Sequence, residues 1–242
     1  MIIAPSISEA QILASLRTFL LSVLSPPAIE VIRAQGNRVP EPKTPDFVVM
    51  TPILRERIET NIDKDIDAKF TASISGTVMT VSAVVIGAIA LNAVLLGANI
   101  TPGTSIVSFG TGAGGTGTYN LSNAQTVAAQ TIAAGYTSVL QSVKVMIQLD
   151  IHGPASAENA QIVSTLLRDE FAVSAFAAYG PDVTPLHASD PRQAPFVNAE
   201  DQYENRWVVD AYLQANIAIP AWGQAFADSV TVSPVDASAF PA

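Results

Sequence analysis

One long stretch without a charged residue constrains the fold of this chain more than any other feature. The 74 residues from Phe70 to Val143 contain no Asp, Glu, Lys or Arg, so all 33 charged residues lie in the other 168 positions. The same stretch has 10 of the 14 glycines but only one of the 16 prolines, Pro102. This sharp change predicts a discontinuous domain of residues 1–69 and 144–242, with a second domain inserted over 70–143.

Hydropathy alone would assign part of this stretch, from Val78 to Ile100, to a membrane span. However, no Lys or Arg lies close to either end, and glycine recurs at positions 76, 87, 97 and 103. β-Branched residues dominate the first part, and short strands separated by glycine are typical of a small β domain. We therefore predict a small all-β domain. Residues 110–117 have no basic residue nearby and are predicted as a loop rather than a phosphate-binding site.

The charged part of the chain has the pattern of an α+β domain. Ser8 and Gln11 have the spacing of a capping box, and apolar residues at helical period predict a helix over 9–24. A second helix is predicted over 156–171. Strands are predicted over 28–33, 47–51, 53–62, 144–152 and 206–215. This order predicts a mixed or antiparallel sheet with the helices packed on one side.

The formal net charge of −9 is unevenly distributed. Residues 1–69 have a net charge of −1, whereas residues 144–242 have a net charge of −8. No basic patch is present, so sequence-independent phosphate binding is not expected. An acidic surface suits a protein past which DNA slides, although charge that serves solubility explains the same composition.

The sequence contains no convergent set of catalytic or metal-binding residues. There is no cysteine, and the two histidines, His152 and His187, have no metal-ligand spacing. His152 ends a predicted strand on its polar side and is expected at the surface or in an interface. The alternating Asp63, Asp65 and Asp67 lack the glycine and the glutamate of a calcium loop. We predict no catalytic residue, no metal, no cofactor and no enzymatic activity.

Four segments of the charged part are similar in sequence to segments of a known protein family. They are 38–57, 148–161, 190–196 and 202–210. Together they resemble the tail terminator, or tail completion, proteins of tailed bacteriophages, and the resemblance covers most of 9–64 and 144–216. It implies a tail-terminator-like fold and a structural virion protein in the neck region of the tail. It also implies synthesis in the cytoplasm of the host bacterium, which fits an N-terminus without a signal-peptide pattern.

The resemblance further implies a homo-oligomeric ring, usually a hexamer, at the head-proximal end of the tail. Its partners would be the tail tube, the sheath if the tail is contractile, and the head-completion or connector protein. DNA would pass the lumen without specific binding, and no membrane would be involved. The candidate subunit or partner interface residues are Arg38, Arg55, Arg57, His152, Asp190, Arg192, Trp222 and Phe226. The segment 217–242 either packs back as an edge strand or reaches a neighbouring subunit.

The uncharged stretch resembles a different protein class. Residues 70–81, the Thr-Pro-Gly-Thr turn at 101–104 and residues 114–119 are similar to a β-rich module of diverse phage structural proteins, which typical terminators lack. Its role is open between decoration of the ring, contact with sheath or collar, and weak surface adhesion. The alternative function is a baseplate or fibre-associated protein whose insert binds a host-surface glycan. Few aromatic residues in the stretch disfavour that alternative, because sugar sites usually need stacked rings.

Overall fold

A computed structural model of the chain describes residues 5–24, 29–34, 42–194, 196–197 and 203–222. These residues have a mixed α+β fold with three helices and a large mixed sheet of nine strands. They divide into two compact units. We refer to residues 5–62 with 139–219 as the helical unit, and to residues 63–138 with 220–222 as the strand unit.

The described residues form three helices and eleven strands. The helices are α1 (Glu9–Val23), α2 (Ser156–Leu166) and α3 (Glu170–Ala177). The strands are β1 (Glu30–Arg33), β2 (Phe47–Arg57), β3 (Ile62–Gly87), β4 (Val94–Leu96), β5 (Ile106–Phe109), β6 (Gly117–His152), β7 (Val183–Ala188), β8 (Arg192–Gln193), β9 (Phe196–Val197), β10 (Tyr203–Glu204) and β11 (Arg206–Trp222).

The main path of the large sheet has the order β1-β2-β6-β11-β7. Strands β1 and β2 are parallel, whereas β2 with β6 and β11 with β7 are antiparallel. Strands β3, β4 and β5 pair with β6, and β8 pairs with β11. Strands β9 and β10 form a separate two-stranded sheet. The α+β prediction and the large mixed sheet are therefore confirmed.

The core of the helical unit lies between its three helices and one face of the sheet. Local sequence explains how α1 begins: the Ser8 hydroxyl accepts from Gln11 N, and the Gln11 side chain accepts from Ser8 N at 2.8 Å, which completes the predicted capping box. Residues with helical spacing in α1 then pack with alternating residues of β6 and β11. These residues are Ile12, Leu16, Phe19, Leu20, Val145, Ile147, Leu149, Ile151, Val209, Ala211 and Leu213.

Strand β2 differs from the prediction of two separate strands, 47–51 and 53–62. It is one strand to Arg57, with a register shift against β6 between Pro52 and Leu54. Pro52 has no amide hydrogen to donate to the ladder, so an irregularity at this point is expected. The following strand, β3, begins at Ile62.

The helix predicted over 156–171 is two helices. α2 ends at Leu166, and Asp169, with φ −104° and ψ 157°, caps α3 by accepting from Phe171 N at 2.9 Å. The helical spacing continues across this break, but an extended residue cannot continue a helix. The apolar period alone therefore overestimated the length of the helix.

Two strand boundaries also differ from expectation. β7 was not predicted. It contains Pro185 and lies at the end of the sheet order, where proline is tolerated. β11 continues beyond the predicted end at residue 215 to Trp222. The residues that follow, including Phe226, lie outside the described part of the chain.

The strand unit has no helix among residues 63–138, all of which are described. Strand β3 folds back on itself: the Ser82 hydroxyl donates to Thr71 O at 3.2 Å, and a Cβ on Gly87 would lie 2.0 Å from Asp67 O. Gly76, with φ +62°, lies between the two arms of this hairpin. The core contains Phe70, Ile74, Met79, Leu95, Ile106, Tyr119 and Ile132.

The segment that hydropathy flagged, 78–100, lies in the second arm of β3, in β4 and in the turns around them. None of the described helices is long and apolar enough to cross a membrane. Of the predicted loop 110–117, residues 110–116 form a loop and Gly117 begins β6; Tyr119 Oη accepts from Gly114 N at 3.0 Å and donates to Gly115 O at 2.6 Å.

The edges of the strand unit do not coincide with the edges of the uncharged stretch. Residues 63–69 carry charge yet belong to the strand unit, and residues 139–143 are uncharged yet belong to the helical unit. Charge is a poor marker of the boundary because Asp63, Asp65 and Asp67 lie on the solvent side of β3. The assignment of 70–143 as an inserted all-β domain stays a prediction.

Candidate interface surfaces

The sheet face that points away from the helices carries buried charged side chains. Leu149 and Ile151 belong to the helix-facing core, so the alternation along β6 points Asp150 and His152 to the opposite face. Asp210 has the corresponding place on the neighbouring strand β11. Asp150, His152 and Asp210 are only 6%, 8% and 6% exposed. Buried carboxylates require charged or hydrogen-bonding partners.

Each of the two buried carboxylates has an arginine partner. Arg206 Nε donates to Asp150 Oδ1 at 3.0 Å, and Arg206 Nη2 bonds to the same oxygen. Arg192 Nη1 donates to Asp210 Oδ2 at 2.8 Å, and this hydrogen bond raises the pKa of Arg192 above its usual value. We refer to these four residues as the carboxylate cluster. It holds β6, β8 and β11 together on the helix-free face.

His152 is buried within the chain, so the expectation of a surface side chain is wrong. Its ring stacks on Phe47, with centroids 4.5 Å apart and planes 6° from parallel. His152 Nδ1 lies 3.1 Å from Glu204 Oε1. These contacts come from residues distant in sequence, and the strand pattern around His152 could not reveal them. A role for His152 in an interface stays a prediction.

Asp190 lies on the surface between β7 and β8. Its side chain is 90% exposed and its Oδ1 accepts from Arg168 Nη2 at 2.8 Å. Arg168 also donates from Nε to Ala188 O at 2.8 Å. This pair orders the loop but is too exposed to contribute much free energy.

A groove of about 210 Å³ lies in the helical unit between α1 and β2. We term it the α1–β2 groove; it is lined by Glu9, Ile12, Leu13, Pro52, Ile53, Leu54, Arg55, Val145 and Ile147. Ile53 and Leu54 are 51% and 52% exposed, and Ile58 and Ile62 further along the chain are 48% and 49% exposed. Ile53 and Leu54, which line the groove, are thus aliphatic side chains exposed to solvent at a concave surface, as is common at interaction sites.

Two arginines bond to Glu9 at the edge of this groove; Arg55 lines the groove and Arg33 does not. Arg33 Nη2 lies 2.5 Å from Glu9 Oε1, and Arg55 Nη2 lies 3.4 Å from Glu9 Oε2. One carboxylate therefore serves two guanidinium groups, and the three side chains together carry one excess positive charge. Arg57 Nη2 donates to the neutral Asn61 Oδ1 at 2.7 Å. The groove is thus apolar inside and positively charged at its edge.

The structure brings some of the predicted interface residues together and separates others. Arg55 lines the α1–β2 groove and Arg57 follows it on β2, whereas His152 and Arg192 belong to the helix-free side of the sheet. Arg38 and Phe226 lie outside the described residues, as does the side chain of Trp222 at the end of β11. Asp150, Arg206 and Asp210 were not predicted. The signal that the sequence offered was an acidic residue in the interior of each of two predicted strands.

No group of three or more His, Cys, Asp or Glu side chains in the described ranges is placed to hold a metal ion. The carboxylate cluster is neutral as a set, because each aspartate has its own arginine. Its chemistry is that of a structural ion-pair network, which fixes the positions of the strands.

Comparison with known protein families places the chain in one of them. Residues 97–238, more than half of the 242-residue chain, match the family model of phage neck terminator proteins. No curated protein sequence matches the chain at a significant level. The matched region includes residues 97–143, which does not fit the expectation that family members lack the whole uncharged stretch. The resemblance to tail terminators is confirmed, and the chain belongs to the phage neck terminator protein family, a family of structural phage proteins.

Proposed function

We propose that this protein forms a ring at the head-proximal end of the phage tail. There it ends polymerisation of the tail tube and, in a contractile tail, of the sheath, and it joins the tail to the head-completion or connector proteins. Membership of the neck terminator family is the observation that carries this proposal. The α1–β2 groove supports it, because an assembled protein needs apolar surface that is exposed in the isolated chain.

A ring requires a head-to-tail interface in which two different surfaces of each copy meet. We propose six copies, as is usual for rings at this position. The net charge of −9 supports a lumen that DNA passes without binding, since an acidic wall repels phosphates.

The strand unit is proposed as an accessory domain that is inserted into the ring-forming domain. From Phe70 onwards its side chains are uncharged, and several exposed ones are large and apolar, such as Val85, Ile86, Val107 and Phe109. With so few charged groups it has little means of long-range electrostatic attraction. Decoration of the ring or contact with collar or sheath suits such a surface.

The test is a phage that carries a nonsense mutation in the gene for this protein. We expect tails of abnormal length that are not joined to heads, because nothing ends polymerisation or provides the joint. Wild-type protein supplied in trans is the control and should restore infectious particles. Normal tails joined to heads in the mutant, or a location at the distal tip in a virion reconstruction, would contradict the proposal.

The alternative of a glycan-binding tail protein receives little support from the strand unit. Of the four aromatic side chains in residues 63–138, Phe70 and Tyr119 are buried, Tyr136 is half-buried and only Phe109 is exposed. A sugar site would need accessible rings. Binding on a glycan array that depends on residues 70–143 would favour this alternative instead.

A further inference from the structure

We propose that the N-terminal end of α3 in one copy inserts into the α1–β2 groove of the next copy and thereby forms the subunit interface. This inference rests on the proposed ring and specifies which two surfaces meet. We term the inserting surface the α3 knob; it consists of Asp169, Glu170, Phe171 and Val173.

The α3 knob offers an aromatic anchor. Phe171 is 51% exposed although it belongs to an apolar helix. Val173, 42% exposed, lies one turn after Glu170 and on the other flank of the helix from Phe171. The buried side of α3 packs through Ala172 and Phe176, and the Phe171 ring lies 6.3 Å from the ring of Phe19 in α1 while about half of its surface stays open. Interfaces between proteins are typically dominated by a few aromatic residues that fill pockets on the partner.

The α1–β2 groove has the size and lining that such a ring requires. Its volume is about 210 Å³, and most of its lining is aliphatic. An apolar cavity of about 150 Å³ is sufficient to bind benzene. Insertion of Phe171 would also shield Ile53 and Leu54, whose exposure is otherwise unfavourable.

The charges of the two surfaces are complementary. Asp169 and Glu170 are exposed and give the α3 knob two negative charges beside the ring. The groove edge has one excess positive charge, because Glu9 is shared between Arg33 and Arg55. Glu170 of an incoming copy would provide Arg55 with a second carboxylate, in addition to Glu9 at 3.4 Å.

The α3 knob and the α1–β2 groove are two different surfaces of the helical unit, as a head-to-tail contact requires. β2 lies next to the edge strand β1, whereas α3 packs on β7, the strand at the other end of the sheet order. Contact between two different surfaces joins copies head to tail, and such contacts close into rings when the rotation permits.

Charge reversal of single residues tests the contact. We expect Glu170→Arg and Arg55→Glu each to raise, by about tenfold or more, the concentration at which half of the protein is in rings. Combining the two reversals in one chain should restore assembly, because the attraction is re-formed with exchanged signs. Sedimentation velocity over a concentration series measures the ring fraction, and electron microscopy shows the particles.

Glu158→Arg is the matched control. Glu158 and Glu170 are both exposed acids in the first turn of a helix, so both reversals remove the same favourable interaction with a helix N-terminus. Of the two, Glu170 alone belongs to the α3 knob. We expect Glu158→Arg to leave ring formation unchanged.

Cross-linking provides a second measurement that does not depend on the strength of the interface. The chain has no cysteine, so any disulfide must join introduced residues. We expect a Leu54→Cys/Val173→Cys chain to give a ladder of covalent oligomers on oxidation, with the highest band at the ring number. The control Leu54→Cys/Ile162→Cys places the second cysteine at a similarly exposed site outside the knob and should give no ladder.

The outcomes separate this inference from the proposed function. Wild-type rings that resist both charge reversals and give no ladder would overturn the contact and leave the ring intact. Absence of rings in the wild-type protein, both in solution and in virions, would overturn the proposed function and the contact with it.

Discussion

Asp150 and Asp210 are acidic residues in the interior of strands, where carboxylates are rare unless they are paired. The alternation along β6 assigned Asp150 to the polar side of its strand, and the structure confirms that side. Its partner Arg206 is distant in sequence and is the first residue of the predicted strand 206–215. A residue's side of a strand follows from local periodicity, but its partner depends on which strands become neighbours.

Replacement of Arg206 by methionine should strongly destabilise the chain. The variant leaves Asp150, 6% exposed, without its guanidinium, and the Gln148 amide at 3.0 Å from its oxygens carries no charge to offset the loss. Breaking a buried ion pair by removal of one partner costs about 3 kcal/mol or more. We expect this loss in the free energy of unfolding, measured by urea denaturation at neutral pH.

Asp190→Asn is the control for this measurement. Its pair with Arg168 is also well formed, but Asp190 is 90% exposed, and exposed pairs contribute below about 1 kcal/mol. A similar loss for the two variants would show that burial does not govern the strength of these pairs.

The elements with strong local signals were predicted most accurately. α1 has a capping box and a clear apolar stripe, and it begins at the predicted residue. The break between α2 and α3 was missed although Asp169 is a good N-cap residue, because the apolar period continues through it. β7 was missed; its proline is compatible with a strand at a sheet edge, and edge position is not readable from one strand.

Gly153, in the turn between β6 and α2, is a position where the backbone requires glycine. Gly153 has φ +103°, and a Cβ there would lie 2.3 Å from Pro45 O and 2.4 Å from Asp46 Oδ1. Gly153→Ala therefore combines a strained backbone with a clash that the neighbouring backbone must relieve. We expect it to lower the free energy of unfolding by more than about 2 kcal/mol in urea denaturation.

Gly180→Ala separates the effect of backbone strain from the effect of the clash. Gly180 has φ +96°, but a Cβ there would meet no atom within 4 Å. This variant should show the backbone strain alone, about 1 kcal/mol. If Gly180→Ala were as destabilising as Gly153→Ala, the close approach of residues 45 and 46 would not matter.

At the scale of the whole molecule, the described residues form two separate hydrophobic cores. The core of the helical unit contains no residue from 63–138, and the core of the strand unit consists of described residues between 68 and 134. The chain leaves and re-enters the helical unit through paired segments: Ile58 N donates to Ser142 O at 3.1 Å. This arrangement supports the proposal that one domain is inserted into a hairpin of the other.

Residues 63–138 should therefore be replaceable by a two-residue Asn-Gly turn. We expect the shortened chain to unfold in one cooperative urea transition and to keep the far-ultraviolet circular dichroism of its helices, because no side chain of its core is removed. Replacement of residues 145–151 by the same turn is the control, and it should abolish folding because it removes the core part of strand β6. A shortened chain that is unfolded would contradict independent folding of the helical unit.

The sequence by itself determined the fold class, the first helix, the main strands and the family. The first three depend on local periodicity and capping, and the family depends on the residue order within a few segments. The sequence also marked the uncharged stretch, although charge did not locate the edges of the compact unit. Only the tertiary structure decided that His152 is buried, that Asp150 and Asp210 have arginine partners, and that Arg55 edges an apolar groove. These features depend on which distant strands become neighbours, and that choice is made by packing of the whole sheet rather than by any single segment.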